Sequence, residues 1–383
     1  MKIWLIRAGL AGVTLAVGGF LFASSGVMNV AASSGHWPVT EWLLHYTMRR
    51  SVATRSLLIE PPPLEDPALV VRGAGHYASG CAPCHGEPGG PRGPIPRRMT
   101  PEAPSFEPRF EHWRTRELFW IVKHGVKYTA MPAWVAPERD DEVWSVVAFL
   151  ERLPDLSVPA YRELAYGDSP DPGSTGIDQL DDYDPVLADC IRCHGATGSG
   201  RGVGAFPRLD IQGEAYLYAA LASYASGHRA SGIMQPIAAT LDETALRHAA
   251  RFYARASRAE PVASVERSAA AAPDARGQQI AERGLPEQGV PPCSHCHGPQ
   301  AVAENGLFPR LAGQHRAYLI EQLELFKRDA RGGGPYADVM REVADGLEPA
   351  QIRAVADWYA SLPAAGQALH REQRPIRMTG RPR

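Results

Sequence analysis

The sequence has little cysteine and little net charge, and each shortage excludes a class of protein. Six cysteines occur among 383 residues, and all six belong to one repeated pattern, so none remains for a disulfide, a separate metal site or a nucleophile. The formal charge of −2 gives no reason to expect nucleic-acid binding. Strand-like alternation is scarce, and no glycine-rich phosphate loop follows a strand. These absences leave a helical protein whose chemistry depends on the cysteine pattern.

The cysteine pattern is Cys-x-x-Cys-His, and it occurs three times. In haem c attachment the two thiols bond the vinyl groups and the histidine ligates the iron. Zinc would need two cysteine pairs brought together, whereas these pairs lie about a hundred residues apart. A redox dithiol does not require the histidine. We therefore predict three covalent haems, bound by Cys81, Cys84 and His85, by Cys190, Cys193 and His194, and by Cys293, Cys296 and His297.

The N-terminus carries an uncharged run from Ala8 to Ser34. A spanning helix needs roughly twenty apolar residues, so we predict an uncleaved transmembrane anchor at 1–35. The small residues Ala31 to Ser34 provide the alternative, a signal cleavage site. Either one exports the protein, because haem c is attached on the outer side of the bacterial inner membrane. We therefore expect a protein of the inner membrane with its haem domains in the periplasm.

A juxtamembrane helix and linker are predicted at 36–66. Trp37 and Trp42 suit the headgroup layer of a membrane, so the helix is expected to lie on that surface. A helix packed on the first haem domain is the alternative.

Three modules follow, and the second and third are copies of each other. The repeated segments are Phe206-Pro207-Arg208-Leu209 and Phe308-Pro309-Arg310-Leu311, Tyr216-Leu217 and Tyr318-Leu319, and Met234 and Met340 with their neighbours. The predicted boundaries are 67–155 for domain 1, 156–180 for an acidic linker, 181–258 for domain 2, 259–272 for a second linker, 273–364 for domain 3 and 365–383 for a basic tail.

The second axial ligand of each iron is predicted from the few methionines. An electron-transfer haem usually takes methionine or histidine there. Met131, Met234 and Met340 each precede the last helix of a module, at similar distances after the motif histidine. The predicted metal ligands are therefore His85 with Met131, His194 with Met234, and His297 with Met340. Met99 and His124 are alternatives in the first module, and His295 is expected at the surface.

Prolines are expected to orient the iron-binding histidines. A backbone carbonyl that accepts the ring N–H fixes the tautomer and the ring plane. The candidates are Pro207 for His194, Pro309 for His297, and for His85 either Pro104, Pro94 or Pro96. Arg208, Arg310, Tyr216 and Tyr318 either bond haem propionates or form an ordinary surface beside the helices.

With these motifs, each module resembles a class I cytochrome c domain. Residues 181–364 are similar to the periplasmic dihaem class I cytochromes c, on the Phe-Pro-Arg-Leu and Met-x-x-Ile/Val-Ala elements. The resemblance implies an all-α fold, with three tandem cytochrome c domains behind an N-terminal transmembrane helix, and a role in electron transfer. The first module and the anchor depart from the soluble dihaem pattern, so the partners of that family are not carried over.

The leading functional hypothesis is a membrane-anchored trihaem electron carrier rather than an enzyme. It would pass electrons in a bacterial respiratory chain from a quinol-oxidising complex to a terminal oxidase. The alternative is a cytochrome c subunit of a membrane-bound dehydrogenase complex. A haem peroxidase is a third hypothesis, and it requires an iron with an open position. The expected partners are redox proteins and the membrane, with no nucleic acid.

Overall fold

The computed structural model describes residues 2–105, 113–167, 184–202, 204–256 and 275–364. These residues form helices and one isolated bridge between Leu285 and Val290, with no strand among them, so the predicted all-α class is confirmed. The linker at 259–272, residues 168–180 and the tail at 365–383 lie outside the described residues.

The α-helices are α1 Lys2–Ser24, α2 Pro38–Arg55, α3 Pro67–His76, α4 Ala82–His85, α5 Thr115–His124, α6 Asp140–Arg152, α7 Val158–Tyr166, α8 Pro185–His194, α9 Glu214–Ala225, α10 Met234–Ala238, α11 Glu243–Ala256, α12 Ala275–Arg283, α13 Ser294–His297, α14 Pro299–Glu304, α15 Arg316–Lys327, α16 Ala337–Asp345 and α17 Pro349–Ser361. Short 3-10 turns occur at Ala32–Ser34, Pro96–Arg98, Leu153–Asp155 and Pro286–Gln288, and a π-helical turn at Tyr77–Cys81.

Within the described residues, α1 is the one helix long and apolar enough to cross a membrane, over Ile3–Ser24. None of that stretch is buried against the rest of the protein. A membrane anchor and a signal sequence share these properties.

The helix α2 has a packed end and an exposed end. Near its C-terminus Val52 is buried, and the Arg49 guanidinium lies 5.7 Å above the centre of the Trp113 ring. Near its N-terminus Trp42 is 64% exposed and stacks on the exposed Tyr46. The packed end agrees with the alternative of a helix on the first module, whereas the position on a membrane surface stays a prediction.

Close helix crossings form the cores of the first and third modules. In the first, α3 crosses α6 at Gly73, where a Cβ would collide with the backbone carbonyl of Ser145. In the third, α12 crosses α17 at Gly277, where a Cβ would collide with the carbonyl of Ala354. Glycine is needed at both positions because the two backbones approach within the space of a side chain. In the second module, α11 packs mainly against α9, and its contact with the motif helix α8 is small.

The helix α7 occupies the start of the predicted acidic linker. Its Tyr161, Ala165 and Tyr166 are buried, and the helix packs against α3 of the first module. This differs from the prediction of an acidic linker from residue 156 onward. The many acidic residues of the segment suggested a charged surface, although the helix has an apolar face. The exposed Glu163 carries its charge on the opposite side of the helix.

The helix α8 carries the second haem-binding motif at its C-terminal end. Asp184 accepts hydrogen bonds from the backbone N–H of Val186 and Leu187, at 3.0 and 3.3 Å, and so caps the helix. Its carboxylate is also 2.6 Å from Nε2 of His248. Desolvation is the largest single effect and raises the pKa of Asp184, but the hydrogen bonds from His248, Val186 and Leu187 together lower that pKa below its usual value.

Candidate haem-binding sites

Each motif histidine is oriented by a proline carbonyl. Nδ1 of His85 lies 2.9 Å from the Pro104 oxygen, Nδ1 of His194 lies 3.4 Å from that of Pro207, and Nδ1 of His297 lies 2.9 Å from that of Pro309. All three predicted proline partners are confirmed, and Pro104 rather than Pro94 or Pro96 serves the first module. A ring that donates from Nδ1 keeps its lone pair on Nε2, the nitrogen that can then bind iron.

The motif histidines also have the charge state that iron binding requires. Burial lowers the pKa of His194 to about 4, although the bond to Pro207 acts in the opposite direction. Burial likewise lowers the pKa of His85 and of His297. A metal ligand must be the neutral imidazole, so these rings need lose no proton at neutral pH.

Burial keeps the thiols of Cys81, Cys190 and Cys293 protonated at neutral pH. Burial raises the pKa of Cys81 and of Cys190 to about 12, and that of Cys293 to about 11. Such thiols are poor nucleophiles and poor zinc ligands. Throughout the described part of the chain, no group of three or more His, Cys, Asp or Glu side chains could hold a metal ion. The motifs therefore lack the additional ligands that a zinc site needs.

The three predicted methionines lie where the sequence placed them, before the last helix of each module. The Met131 N–H donates to the Thr129 hydroxyl at 3.1 Å in the loop before α6. Met234 begins α10, before α11, and Met340 lies inside α16, before α17. All three are half-buried. Their role as iron ligands stays a prediction.

In the third module, aromatic contacts connect the motif histidine to the methionine helix. The His297 and Phe308 ring centres are 6.5 Å apart, and those of Phe308 and Tyr336 are 4.8 Å apart. The Tyr336 carbonyl accepts the Met340 N–H at 3.1 Å. The repeated Phe-Pro-Arg-Leu element thus lies between the two predicted ligands of this iron.

Of the two alternative ligands in the first module, only His124 is more exposed than the predicted methionines. Met99 follows the 3-10 turn Pro96–Arg98 and is half-buried. His124 is exposed at the end of α5, where its ring packs 4.9 Å from that of Trp120. His295 is exposed, as predicted.

Modules two and three meet through a reciprocal pair of glutamines. Gln314 accepts the Arg208 N–H at 2.9 Å and donates to the Arg208 carbonyl at 3.0 Å. Gln212 does the same with Arg310, at 2.9 and 2.8 Å. The Arg208 side chain pairs with Asp210 of its own module, and its Nη1 donates to the Gly313 carbonyl of the third module at 3.3 Å, so Arg208 takes part in the interface. The sequence reasoning missed both glutamines, although they occupy equivalent positions of the repeat.

Two buried arginines lie beside the repeated tyrosines. Arg229 donates to the Tyr318 hydroxyl and to Gln322, both at 3.1 Å. Arg331 has a buried Nε with no hydrogen-bond partner. Burial alone would raise the pKa of Tyr216, but hydrogen bonds and charge from the two guanidiniums lower it. Among the described residues no carboxylate pairs with either arginine, so this cluster holds two buried positive charges that lack an anion.

These residues fit a haem at each motif. The histidines present an unprotonated Nε2, and the predicted methionine ligands, whose role is not shown by the structure, would add soft thioether sulfur. Nε of Arg331 has no hydrogen-bond partner, and the cluster of Arg229 and Arg331 carries positive charge without a carboxylate among the described residues. A haem propionate could supply that carboxylate and accept a hydrogen bond from Arg331. Arg229 and Arg331 also recur at equivalent positions of the repeat, a signal that the sequence analysis did not use.

Comparison with known proteins identifies one matching family and several relatives, each of which covers part of the chain. Residues 68–150 match the family described as cytochrome c oxidase, cbb3-type, subunit III. A thiosulfate dehydrogenase electron acceptor of Thiomonas intermedia is 37% identical over 179 residues, which are 47% of this chain and 81% of that protein. A protein of the same description from Stutzerimonas stutzeri is 35% identical over 46% of this chain and 81% of its own length. Cytochrome c4 of Thiocapsa roseopersicina is 33% identical over 45% and 86%. With the three motifs, these matches identify the cofactors as three covalently bound haem c groups.

Proposed function

The chain belongs to the class I cytochromes c, and on this premise we propose that it is a membrane-anchored trihaem carrier of a bacterial respiratory chain. It would take electrons from a quinol-oxidising complex and deliver them to a terminal oxidase. The observation that carries this proposal is the direct contact between the motif-bearing parts of successive modules.

The first and second modules contact each other at the second motif. A Cβ on Gly75 of α3 would lie 3.2 Å from Cys193 Sγ and 3.2 Å from the Phe206 ring. Ala68 of the same helix packs in one buried cluster with Cys193 and Phe206. The second and third modules meet through the segments that contain Pro207 and Pro309, the carbonyl partners of the motif histidines. This arrangement supports electron transfer over short steps.

We propose as iron ligands the pairs His85 with Met131, His194 with Met234, and His297 with Met340. Bound haem supplies reversible one-electron transfer at its iron. The proline carbonyls hold the histidine rings in one orientation and raise the basicity of Nε2. Thioether sulfur favours ferrous iron, which suits a carrier that delivers electrons to an oxidase. If each proposed pair held its iron, no iron would offer a substrate an open site.

Arg229 and Arg331 are the residues that we propose to balance propionate charge in the second and third modules. Their guanidiniums are buried, and Tyr216 and Tyr318 lie beside them with further hydroxyl groups. Two buried cations without an anion would be costly to retain. A propionate beside them would remove that cost.

The anchor would hold the carrier at the outer face of the inner membrane. The apolar helix α1 has the length of a bilayer span. The exposed Trp37, Trp42 and Tyr46 of the following segment suit the headgroup layer, where aromatic rings are favoured. The packed end of α2 would then keep the first module near that surface.

A specific observation favours a second candidate function. Two of the relatives are described as electron acceptors of thiosulfate dehydrogenase. By analogy, this chain would be the cytochrome partner or subunit of a membrane-bound dehydrogenase, and it would take electrons from that enzyme rather than from a quinol-oxidising complex.

Reduction assays with purified partners distinguish the two. The full chain, isolated from membranes and placed in vesicles, is mixed either with quinol and a quinol-oxidising complex or with thiosulfate and thiosulfate dehydrogenase. Fast haem reduction by the first pair, followed by reoxidation by a terminal oxidase, is expected. Reduction by the dehydrogenase alone would support the second candidate, and reduction by neither would refute both. A variant in which a cleavable signal peptide replaces residues 1–35 should still be exported and keep its haem but react more slowly in vesicles, because it is no longer concentrated at the membrane.

A further inference from the structure

We propose that Glu142 of the first module is a positioning residue for Met234 of the second. Docking of the first module would thereby set the methionine ligation of the second haem. The inference rests on the ligand role of Met234 proposed above.

A relay of hydrogen bonds joins Glu142 to the Met234 backbone. The Ser231 hydroxyl donates to the Glu142 carboxylate at 2.5 Å, and the Gly232 N–H donates to its other oxygen at 2.6 Å. The Ser231 oxygen in turn accepts the Met234 N–H at 2.9 Å. A carboxylate of one module therefore fixes the three residues that lead into the methionine of another.

The carboxylate that anchors this relay is itself held firmly. Glu142 is 3% exposed, Arg139 Nη1 is 3.0 Å away, and the Trp134 indole N–H donates to it at 3.3 Å. Arg139 also donates to the Ala230 carbonyl at 2.8 Å, so it binds the residue just before Ser231 in the same loop. Hydrogen bonds to a buried carboxylate are stronger than neutral ones, and they leave the loop little freedom.

The third module shows what the loop is like without this contact. At the position equivalent to Ser231 it has Ala337, which has no hydroxyl. Met340 lies inside α16 and donates its N–H to the Tyr336 carbonyl within its own module. The two copies thus position their methionines by different means, one through a local helix and one through a neighbouring module.

Loss of the relay should weaken the proposed bond between Met234 and the iron, and more so in the oxidised protein than in the reduced protein. Removing either Glu142 or Ser231 as an acceptor leaves a buried backbone N–H unpaired, which favours a shifted loop. Ferric iron holds thioether sulfur less strongly than ferrous iron does. The Met234 bond would therefore weaken mainly in the ferric state.

Spectra of purified, full-length variants test the proposal. Glu142→Gln and Ser231→Ala preserve volume but remove an acceptor, and both should lower the ferric methionine–iron charge-transfer absorption. The loss should not exceed the share of one haem of three, and high-spin ferric haem should increase accordingly. One of the three midpoint potentials should move while the other two stay.

The matched control is Glu321→Gln, which removes the same kind of charge at the same junction. Glu321 of α15 pairs with Arg72 at 3.0 Å and with Arg139 at 3.5 Å, and no hydrogen bond joins it to the loop before Met234 among the described contacts. This variant should leave the charge-transfer absorption unchanged. An equal loss in it would mean that loosened docking alone causes the effect, which would overturn the role of Glu142.

Met234→Leu separates this proposal from the ligand assignment. If it removes the absorption of one haem while Ser231→Ala and Glu142→Gln remove none, the relay has no positioning role. If Met234→Leu itself changes nothing, the ligand assignment is wrong and the relay proposal fails with it. Should Glu142→Gln fail to accumulate, Ser231→Ala decides, since its only change is one buried hydroxyl.

Discussion

Replacing Gln314 with alanine should separate modules two and three. Its amide makes two hydrogen bonds to the backbone of Arg208, at 2.9 and 3.0 Å, and its oxygen accepts the His315 N–H at 2.9 Å. Gln314 is 3% exposed, so water cannot replace these partners. If each hydrogen bond contributes about 1 kcal/mol, Gln314→Ala should lower the free energy of unfolding by about 3 kcal/mol. Gln212→Ala, which removes two such bonds, should cost about 2 kcal/mol.

Urea unfolding of the haem-loaded protein measures this loss. Soret circular dichroism reports the surroundings of the haems, and the midpoint of the earliest transition should fall by about 1 M or more for Gln314→Ala. The control is Gln300→Ala, an exposed glutamine of the same module, which should stay within about 0.5 kcal/mol of the parent. If Gln314→Ala unfolds like this control, the reciprocal contact does not hold the modules together.

Other substitutions test the ligands, the helix crossing and the helix cap. Met131→His should lower one midpoint potential and remove the methionine–iron band of that haem, whereas Met99→Leu should leave the spectrum unchanged; a band lost in the latter would identify Met99 as the ligand. Gly277→Ala should reduce haem retention by the third module, because its Cβ would collide with the Ala354 carbonyl; normal haem content and stability would contradict this. Asp184→Ala should cost about 1 kcal/mol in unfolding free energy and Asp184→Asn much less. Because the folded-state pKa of Asp184 is lowered, the part of its stabilisation that depends on charge is complete above the unfolded value of about 3.9 and is lost as the pH falls through the folded value. A parent–alanine difference that does not shrink on acidification would argue against a charged cap.

Features carried by short stretches of chain could be predicted from the sequence. The prolines lie within twenty residues of their histidines, and the repeat made Pro207 and Pro309 recognisable. In the first module, where no repeat helped, three prolines remained open and the structure selected Pro104. The all-α fold followed from the same local patterns.

Contacts between modules could not be predicted in this way. Glu142 lies in an amphipathic helix, where its sequence pattern predicts a solvated charge. In the structure, the segment at Ser231, 89 residues further along the chain, docks on it and helps to bury it. Helix α7 was hidden for a related reason, since its apolar face is short and lies among acidic residues. Periodicity records which face of a helix is buried, but not what covers it. The repeat places Gln212 and Gln314, and likewise Arg229 and Arg331, at equivalent positions. It could therefore have marked these residues as candidates, but not the residues that they contact.

The reciprocal glutamine contact has the form of an isologous interface, in which equivalent residues of two copies meet in both directions. Such an interface has two like ends, and the first module occupies only the one at Ser231 and Gly232, which are buried. The like end on the third module lies at Ala337 and Asp338, where Ala337 is half-buried and Asp338 is exposed. The first module therefore breaks the symmetry of the duplicated pair, because it covers this end of the second module and leaves the equivalent end of the third exposed among the described residues.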